Sequence, residues 1–110
     1  MPKMHETEKR NPNQAAGFRK ILDEMYTTHL DKNADYSPAN ILGVGEIGIV
    51  VRMWDKMTRL MNLLGFRIDV KFVGYEEPKT PHNESVDDTY KDMAIYSIIG
   101  QLYREGKWGN

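Results

Sequence analysis

The stretch from about Gly45 to Leu64 constrains the fold most, because its pattern predicts a helix that is apolar around most of its circumference. A helix of this kind is buried on several sides in a folded domain. Gly65 follows it directly and supplies a typical helix stop. We therefore expect this helix to lie at the centre of the domain. One narrow polar strip interrupts its apolar surface and consists of Arg52, Asp55, Lys56, Arg59 and Asn62.

Two further helices and a short β element are predicted around this central helix. The first helix begins near Asn13 and carries one apolar stripe at helical spacing, and the third runs from about Asn83 to Glu105. Between the second and third helices, "FRIDVKFV" at residues 66–73 alternates apolar and polar residues, which predicts a strand. A lone strand needs a hairpin partner or a second subunit. The predicted fold is mainly α, a three-helix, bundle-like domain with this β element between helices 2 and 3.

Length and polarity predict the domain organisation. A chain of 110 residues favours one domain. Residues 1–13 are polar and are predicted to form a flexible arm, which leaves 14–110 as a single helical domain. Because a domain of this size covers a modest share of its own surface, we expect a homodimer in which a second copy covers part of the apolar helices.

Composition argues against several classes of function. The chain has 15 Lys and Arg residues and 16 Asp and Glu residues, and this balance argues against general nucleic-acid binding through the phosphate backbone. The absence of cysteine excludes disulfides, cysteine-ligated zinc and thiol nucleophiles. No apolar run reaches the roughly 18 residues typical of a membrane span, and the N-terminal segment lacks the apolar core of a secretory signal. We therefore expect no membrane partner and a cytoplasmic location.

A glycine motif precedes the central helix. Gly43, Gly45 and Gly48 match the spacing of the dinucleotide-binding fingerprint, and Asp69 stands where that fold places its ribose-binding acid. The fingerprint requires a buried strand that runs into the first glycine, whereas here Pro38 and several turn-forming residues precede it. We interpret the glycines as a loop that leads into a helix, where they permit a tight turn and a close helix contact.

An acidic ridge marks the start of the third helix. Glu84, Asp88 and Asp92 stand four residues apart, so they lie along one side of the helix. Asp92 directly precedes the most apolar run, where a carboxylate needs a partner or a metal ion. Two carboxylates one turn apart suit Mg²⁺, which we predict as a cofactor with Glu84, Asp88 and Asp92 as ligands. For Glu84 and Asp87, complementarity to the helix dipole is the simpler explanation.

The polar strip of the second helix has two interpretations. Arg52, Asp55, Lys56 and Arg59 can form a local ladder of ion pairs on the surface. Alternatively, they form a charged seam that faces the acidic ridge and binds phosphate oxygens. In this second interpretation Asp55 and Asp92 are the catalytic candidates, and their carboxylates lie within roughly 8 Å of each other, near enough to share a metal ion.

The segment "KNADYS" at residues 32–37 is a predicted loop directly ahead of the glycines. Ligand contacts are often carried by loops, and a tyrosine there can stack on a base. We therefore predict Lys32 and Tyr36, together with Arg52, Lys56 and Arg59, as the phosphate- and nucleotide-binding residues.

Three blocks of sequence together resemble a known family. "KNADYS", "RMWDKMTRLMNLL" and "ESVDDTYKDMAIYSII" are similar to the nucleotide modification associated domain of the first type, found in phage and bacterial proteins. The resemblance covers about residues 18–104 and implies a role in phage nucleotide metabolism. The matching positions are Lys32, Asp35, Tyr36, Arg52, Asp55, Lys56, Arg59, Glu84, Ser85, Asp88 and Asp92.

A more distant resemblance is to the MazG-like all-α nucleoside triphosphate pyrophosphohydrolases. Those enzymes bind Mg²⁺ through paired acids on two helices and cut between the α- and β-phosphates. Asp88 and Asp92 match the second acidic pair, but Arg52-x-x-Asp55 stands where the first acidic pair is expected.

The predicted function is that of a phage or bacterial nucleotide-metabolism protein, acting as a magnesium-dependent phosphohydrolase of deoxynucleotides in the cytoplasm of the bacterial host. One alternative is a nucleotide-binding protein without turnover, such as a sponge for a host signalling nucleotide. Another is a small adaptor domain whose charged seam is a buried ion network.

Overall fold

The computed structural model describes residues 3–68, 73–82 and 84–110. Its elements are α1 (Glu6–Arg10), α2 (Pro12–Asn33), α3 (Ala39–Leu42), α4 (Glu46–Leu64), β1 (Phe66–Ile68), β2 (Val73–Tyr75) and α5 (Val86–Arg104). The chain is therefore mainly helical, as predicted. Its contacts divide it into two compact units, Met1–Tyr36 and Ser37–Asn110. The bundle arrangement and the boundary after residue 13 stay predictions. Among the described residues, no helix combines the length and apolar character needed to cross a membrane.

The first unit contains α1 and α2. Part of the predicted arm forms α1, which His5 caps: its Nδ1 accepts the Thr7 N–H at 3.1 Å, and Glu8 accepts the His5 N–H at 2.8 Å. This reciprocal pair is a capping box. Of the apolar stripe predicted on α2, Met25 is buried, whereas Phe18 and Tyr26 are exposed.

The core of the second unit lies between α4 and α5. The start of α4 pairs with the end of α5 through Glu46 and Arg104, so the two helices run in opposite directions. Trp108 is buried, and its indole N–H donates to the Pro38 carbonyl at 3.1 Å. The buried residues of this core are Ile41, Ile49, Ile99 and Trp108.

The described residues at the two ends of the predicted strand over 66–73 belong to two paired strands, which we call the hairpin. β1 and β2 pair antiparallel with Phe66 opposite Tyr75, and the two rings lie 5.2 Å apart. Residues 69–72 of the predicted strand lie outside the described residues. Gly65 ends α4 at a φ of 85°, and a Cβ atom there would collide with the carbonyl oxygen of Glu76. The hairpin supplies its own strand partner, so this element does not need a second subunit.

The ends of α4 and α5 follow the sequence closely. α4 begins after Gly45, whose φ is 75°, and the short helix α3, not a strand, leads into the glycines. The glycines therefore form a helix start, as interpreted. α5 begins at Val86, and the Ser85 hydroxyl caps it by accepting the Asp88 N–H at 3.0 Å. The predicted start of this helix, Asn83, lies outside the described residues.

The expectation that α4 is buried on several sides is wrong within the described structure. Ile49, Leu60 and Leu63 are buried on the side that faces α5. The opposite side is exposed, because α5 covers one side of α4 and no other described helix of this unit is long enough to cover the rest. We call this opposite side the outer face of α4, and it consists of Ile47, Val50, Val51, Trp54, Met57, Met61 and Leu64.

Candidate functional site

The charged strip of α4 faces the start of α5. The Lys56 ammonium lies 2.9 Å from Asp92 Oδ2 and 3.1 Å from Glu84 Oε1, and Arg59 Nε lies 3.3 Å from Glu84 Oε2. We call these four residues the ion cluster. The structure thus brings together the cationic strip and two members of the acidic ridge, in the way that the charged-seam interpretation expects.

Helix geometry explains why these four side chains meet. Lys56 and Arg59 are three residues apart on α4, so they share one side of the helix. Gly65 and the hairpin reverse the chain, and Glu84 and Asp92 then approach from the segment before α5 and from its second turn. The side chains of Lys56 and Asp92 are 21% and 14% exposed, and that of Arg59 is 41% exposed. The cluster is therefore open to solvent at Arg59 and largely covered at Lys56.

The surroundings keep Lys56 charged. Burial by itself lowers the pKa of the ammonium, but hydrogen bonds to Asp92 and Glu84 and the attraction of their negative charges outweigh this effect. The pKa of Lys56 is therefore raised above its ordinary value of 10.5. A lysine in this state acts at neutral pH as a fixed positive charge and not as a general base or nucleophile.

Arg52 adds a third cation one turn before Lys56. It is half-buried, and its Nη2 donates to the main-chain carbonyl of Asn40 at 3.3 Å. Within the described ranges, Arg52 has no carboxylate at ion-pair distance. Together with the ion cluster, Arg52 makes a group of three cations and two carboxylates, in which Lys56 and Arg59 form the ion pairs and Arg52 forms none with the described residues.

Asn40 is a polar residue of this region that lies in the short helix α3. Its side-chain Oδ1 is buried and, in the part of the chain that the structure describes, has no hydrogen-bond partner. Buried acceptors of this kind are rare and are often found where a ligand or ordered water binds. The signal in the sequence is a polar residue inside the short apolar helix "ANIL".

Other predicted site residues take no part in the ion pairs of the cluster. Asp55 and Asp88 are exposed, and neither forms an ion pair within residues 3–68, 73–82 and 84–110. Lys32 lies in the last turn of α2 and not in a loop, because no helix breaker stops α2 before Asn33. Tyr36 follows this helix and is exposed. Both belong to the first unit, and their nucleotide-binding role stays a prediction.

The donor atoms do not fit a resident magnesium ion held by Glu84, Asp88 and Asp92. No three His, Asp or Glu side chains of the described residues gather closely enough to hold a metal ion. Glu84 and Asp92 instead bind Lys56, so a divalent cation would have to displace the ammonium group. The predicted magnesium role of these three residues stays a prediction.

No family model matches the chain, no curated protein matches it, and no solved structure matches its fold. The resemblance to the nucleotide modification domain therefore stays a prediction that rests on its motif residues. Two of its three sequence blocks are in direct contact, because Lys56 and Arg59 of the second block bind Glu84 and Asp92 of the third.

Proposed function

We propose that the chain binds a nucleotide or a nucleotide-derived small molecule through its phosphate groups at the ion cluster and Arg52. The observation that carries this proposal is the excess of cations on the side of α4 that faces α5. Charged groups that are withdrawn from water add little net stability to a fold. Replacing them with apolar residues of similar volume often leaves the stability unchanged or raises it. A partly covered site with an uncompensated cation favours an anionic ligand.

The three cations have different parts in this binding mode. Arg59 is partly exposed, and Arg52 has no carboxylate partner in the described chain, so both guanidinium groups are available to phosphate oxygens. A guanidinium group binds two such oxygens with parallel hydrogen bonds. Lys56 supplies a fixed charge behind them, held by Asp92.

Glu84 competes with the ligand in this mode. Its carboxylate binds both Lys56 and Arg59, which are the groups that a phosphate would bind. Glu84 precedes α5 and its cap, so moving this side chain does not require α5 to unwind. Phosphate binding then consists of an exchange of one anion for another at Lys56 and Arg59.

Binding without turnover is the function that the geometry supports best. Hydrolysis by the predicted mechanism needs Mg²⁺ on carboxylates that Lys56 already engages. The phosphohydrolase therefore stays a prediction that the same experiment tests.

Thermal unfolding and calorimetry with a panel of ligands test the proposal. The panel contains ribo- and deoxynucleoside mono-, di- and triphosphates, cyclic dinucleotides and pyrophosphate, each with and without MgCl₂, and chromatography monitors product. We expect a thermal shift without product for at least one nucleotide. Product formation would instead establish an enzyme, and no shift and no product across the panel would overturn the proposal.

A matched pair of variants locates the binding. Arg52→Gln is expected to weaken nucleotide affinity at least tenfold, which corresponds to about 1.4 kcal/mol. Arg104→Gln removes an arginine of the same helix pair that lies outside the ion cluster. It is expected to leave the affinity unchanged. Equal losses in the two variants would mean that the ligand responds to overall charge and not to this site.

A further inference from the structure

The outer face of α4 has the spacing of a helix-pairing seam. Ile47, Trp54 and Met61 recur every seven residues, and Val50, Met57 and Leu64 follow each of them by three. All six are apolar, which is the pattern by which two helices pack along each other. Ile47 is 70% exposed and Trp54 is 61% exposed, so no described part of the Ser37–Asn110 unit covers the middle or the start of this seam.

The exposed area is large for a chain of this size. Six residues of the outer face are exposed: Ile47, Val50, Val51, Trp54, Met57 and Leu64. Their exposed fractions together equal about three whole side chains, which is on the order of 600 Å² at roughly 200 Å² for each side chain. The largest apolar patch of a typical monomer is about 300–600 Å². Two such faces together give about 1,200 Å², which is within the range of specific protein interfaces.

We propose that the outer face of α4 binds the same face of a second copy of this chain in a two-fold symmetric helix pair. Charge favours a second copy over a helix with a charged rim. The positions that flank the seam are Glu46, Val51, Met53, Thr58 and Leu60, so Glu46 is the single charge among them. Because the seam has so few flanking charges, two copies of it can pack together with little electrostatic repulsion. A basic or acidic partner helix would find almost no opposite charge beside the seam to bind.

The proposed pair leaves the ion cluster accessible. Arg52 and Arg59 lie seven residues apart on the side of α4 that faces away from the seam, as does Lys56. Each copy of a dimer would therefore keep its own ion cluster outside the helix pair. It follows that loss of the dimer and loss of ligand binding are separable, and the dimer does not depend on the proposed nucleotide function.

Sedimentation equilibrium of the full chain from about 1 to 100 μM tests the proposal. We expect the native chain to be a dimer, and we expect Trp54→Glu to raise the dissociation constant at least 100-fold by placing a charge at the centre of the seam. The control is Tyr90→Glu, which changes an exposed aromatic residue of α5 in the same way and is expected to remain dimeric. A monomeric native chain, or a Trp54→Glu variant that dimerises like the native chain, would overturn the proposal.

Crosslinking gives a second measurement that does not depend on a charged variant. The natural chain has no cysteine, so one introduced cysteine reacts without competition. A short bismaleimide is expected to link two copies of Met57→Cys, in the middle of the seam, and not two copies of Tyr90→Cys. Efficient linking of Tyr90→Cys with none of Met57→Cys would place the contact on another surface and refute the seam.

Discussion

Two groups of ion pairs join α4 to α5, one toward each end of the helix pair, and their distances are similar. Glu46 Oε1 lies 2.7 Å from Arg104 Nε, and Asp92 Oδ2 lies 2.9 Å from Lys56 Nζ. Their surroundings differ, because the side chain of Arg104 is 73% exposed whereas that of Asp92 is 14% exposed. Exposed ion pairs are screened by water and salt and contribute little to stability. Covered pairs have lost their hydration, so each charge depends on its partner.

The difference shows that distance alone does not distinguish a covered ion pair from an exposed one in this protein. The pKa of Arg104 is raised by its hydrogen bond to Glu46, and the pKa of Lys56 is raised despite burial. The Glu46–Arg104 pair has one cation for one carboxylate, whereas the ion cluster with Arg52 has an additional cation in a partly covered place. Four predictions test this contrast.

The largest effect is expected from removal of the central charge. Lys56→Met leaves Glu84 and Asp92 without the ammonium that they share, and we expect a loss of about 2 kcal/mol in the free energy of unfolding. Arg104→Gln is expected to cause no measurable change. Urea denaturation of both variants measures the difference, and equal effects would show that burial does not distinguish the two sites.

Neutralising the two carboxylates that Lys56 binds should recover most of this loss. We expect Lys56→Met combined with Glu84→Gln and Asp92→Asn to regain at least half of the stability lost in Lys56→Met alone. The reason is that the neutral amides have no charge to be compensated. Urea denaturation of the single, double and triple variants gives the coupling, and a triple variant less stable than Lys56→Met would argue against charge as the cause.

Glu84→Gln alone tests the anion exchange. In the proposed binding mode Glu84 competes with phosphate for Lys56 and Arg59. Its neutralisation is therefore expected to tighten binding of the best nucleotide of the panel by about fivefold, or roughly 1 kcal/mol. Glu46→Gln is the matched control at the other end of the helix pair and is expected to leave the affinity as it is. Calorimetry that shows weaker binding for Glu84→Gln would mean that Glu84 supports the ligand.

The smallest effect is expected in the unfolding free energy at alkaline pH. The pKa of Lys56 is raised in the folded chain, so its contribution to stability is complete below pH 10.5 and is lost as the pH rises through the folded pKa. The difference in unfolding free energy between the native chain and Lys56→Met should therefore be constant from pH 7 to about 10 and shrink above pH 10.5. Urea titrations along this range measure it, and a difference that already shrinks between pH 7 and 9 would contradict the assignment.

Much of the ion cluster could be predicted from the sequence. The helix pattern and Gly65 give the end of α4, and the spacing of Lys56, Arg59 and Asp92 places them on facing sides of two helices. The ion-pair partner of each charged side chain could not be predicted from the sequence. Its pattern placed the cations of α4 around Asp55, whereas Lys56, the next residue along the helix, forms the ion pair with Asp92. The approach of Asp55 to Asp92 stays a prediction. One residue turns the side chain by about 100° around a helix, which a strip drawn from the sequence does not resolve.

Other differences have equally local causes. The apolar pattern of α4 does not say which of its sides is covered within the chain, so the exposure of Trp54 was not predictable from it. The alternation of apolar and polar residues over 66–73 contains no glycine or proline. The sequence therefore did not predict that the described residues form two strands. Asn40 was not predicted as a site residue because its unpaired Oδ1 depends on how α3 packs.

The hydrogen bond from Trp108 to Pro38 joins residues 70 positions apart and places the two ends of the Ser37–Asn110 unit beside each other. Gly109 extends this contact, since a Cβ atom there would lie 2.9 Å from Pro38. The chain of this unit therefore begins and ends at nearly the same place. A short glycine-serine linker from Asn110 to Ser37 would close it, and new ends could be opened in the exposed stretch 77–81. Such a circular permutant would read α5, α3, α4 and the hairpin in order, and it would let the unit be produced and studied without the residues that precede Ser37.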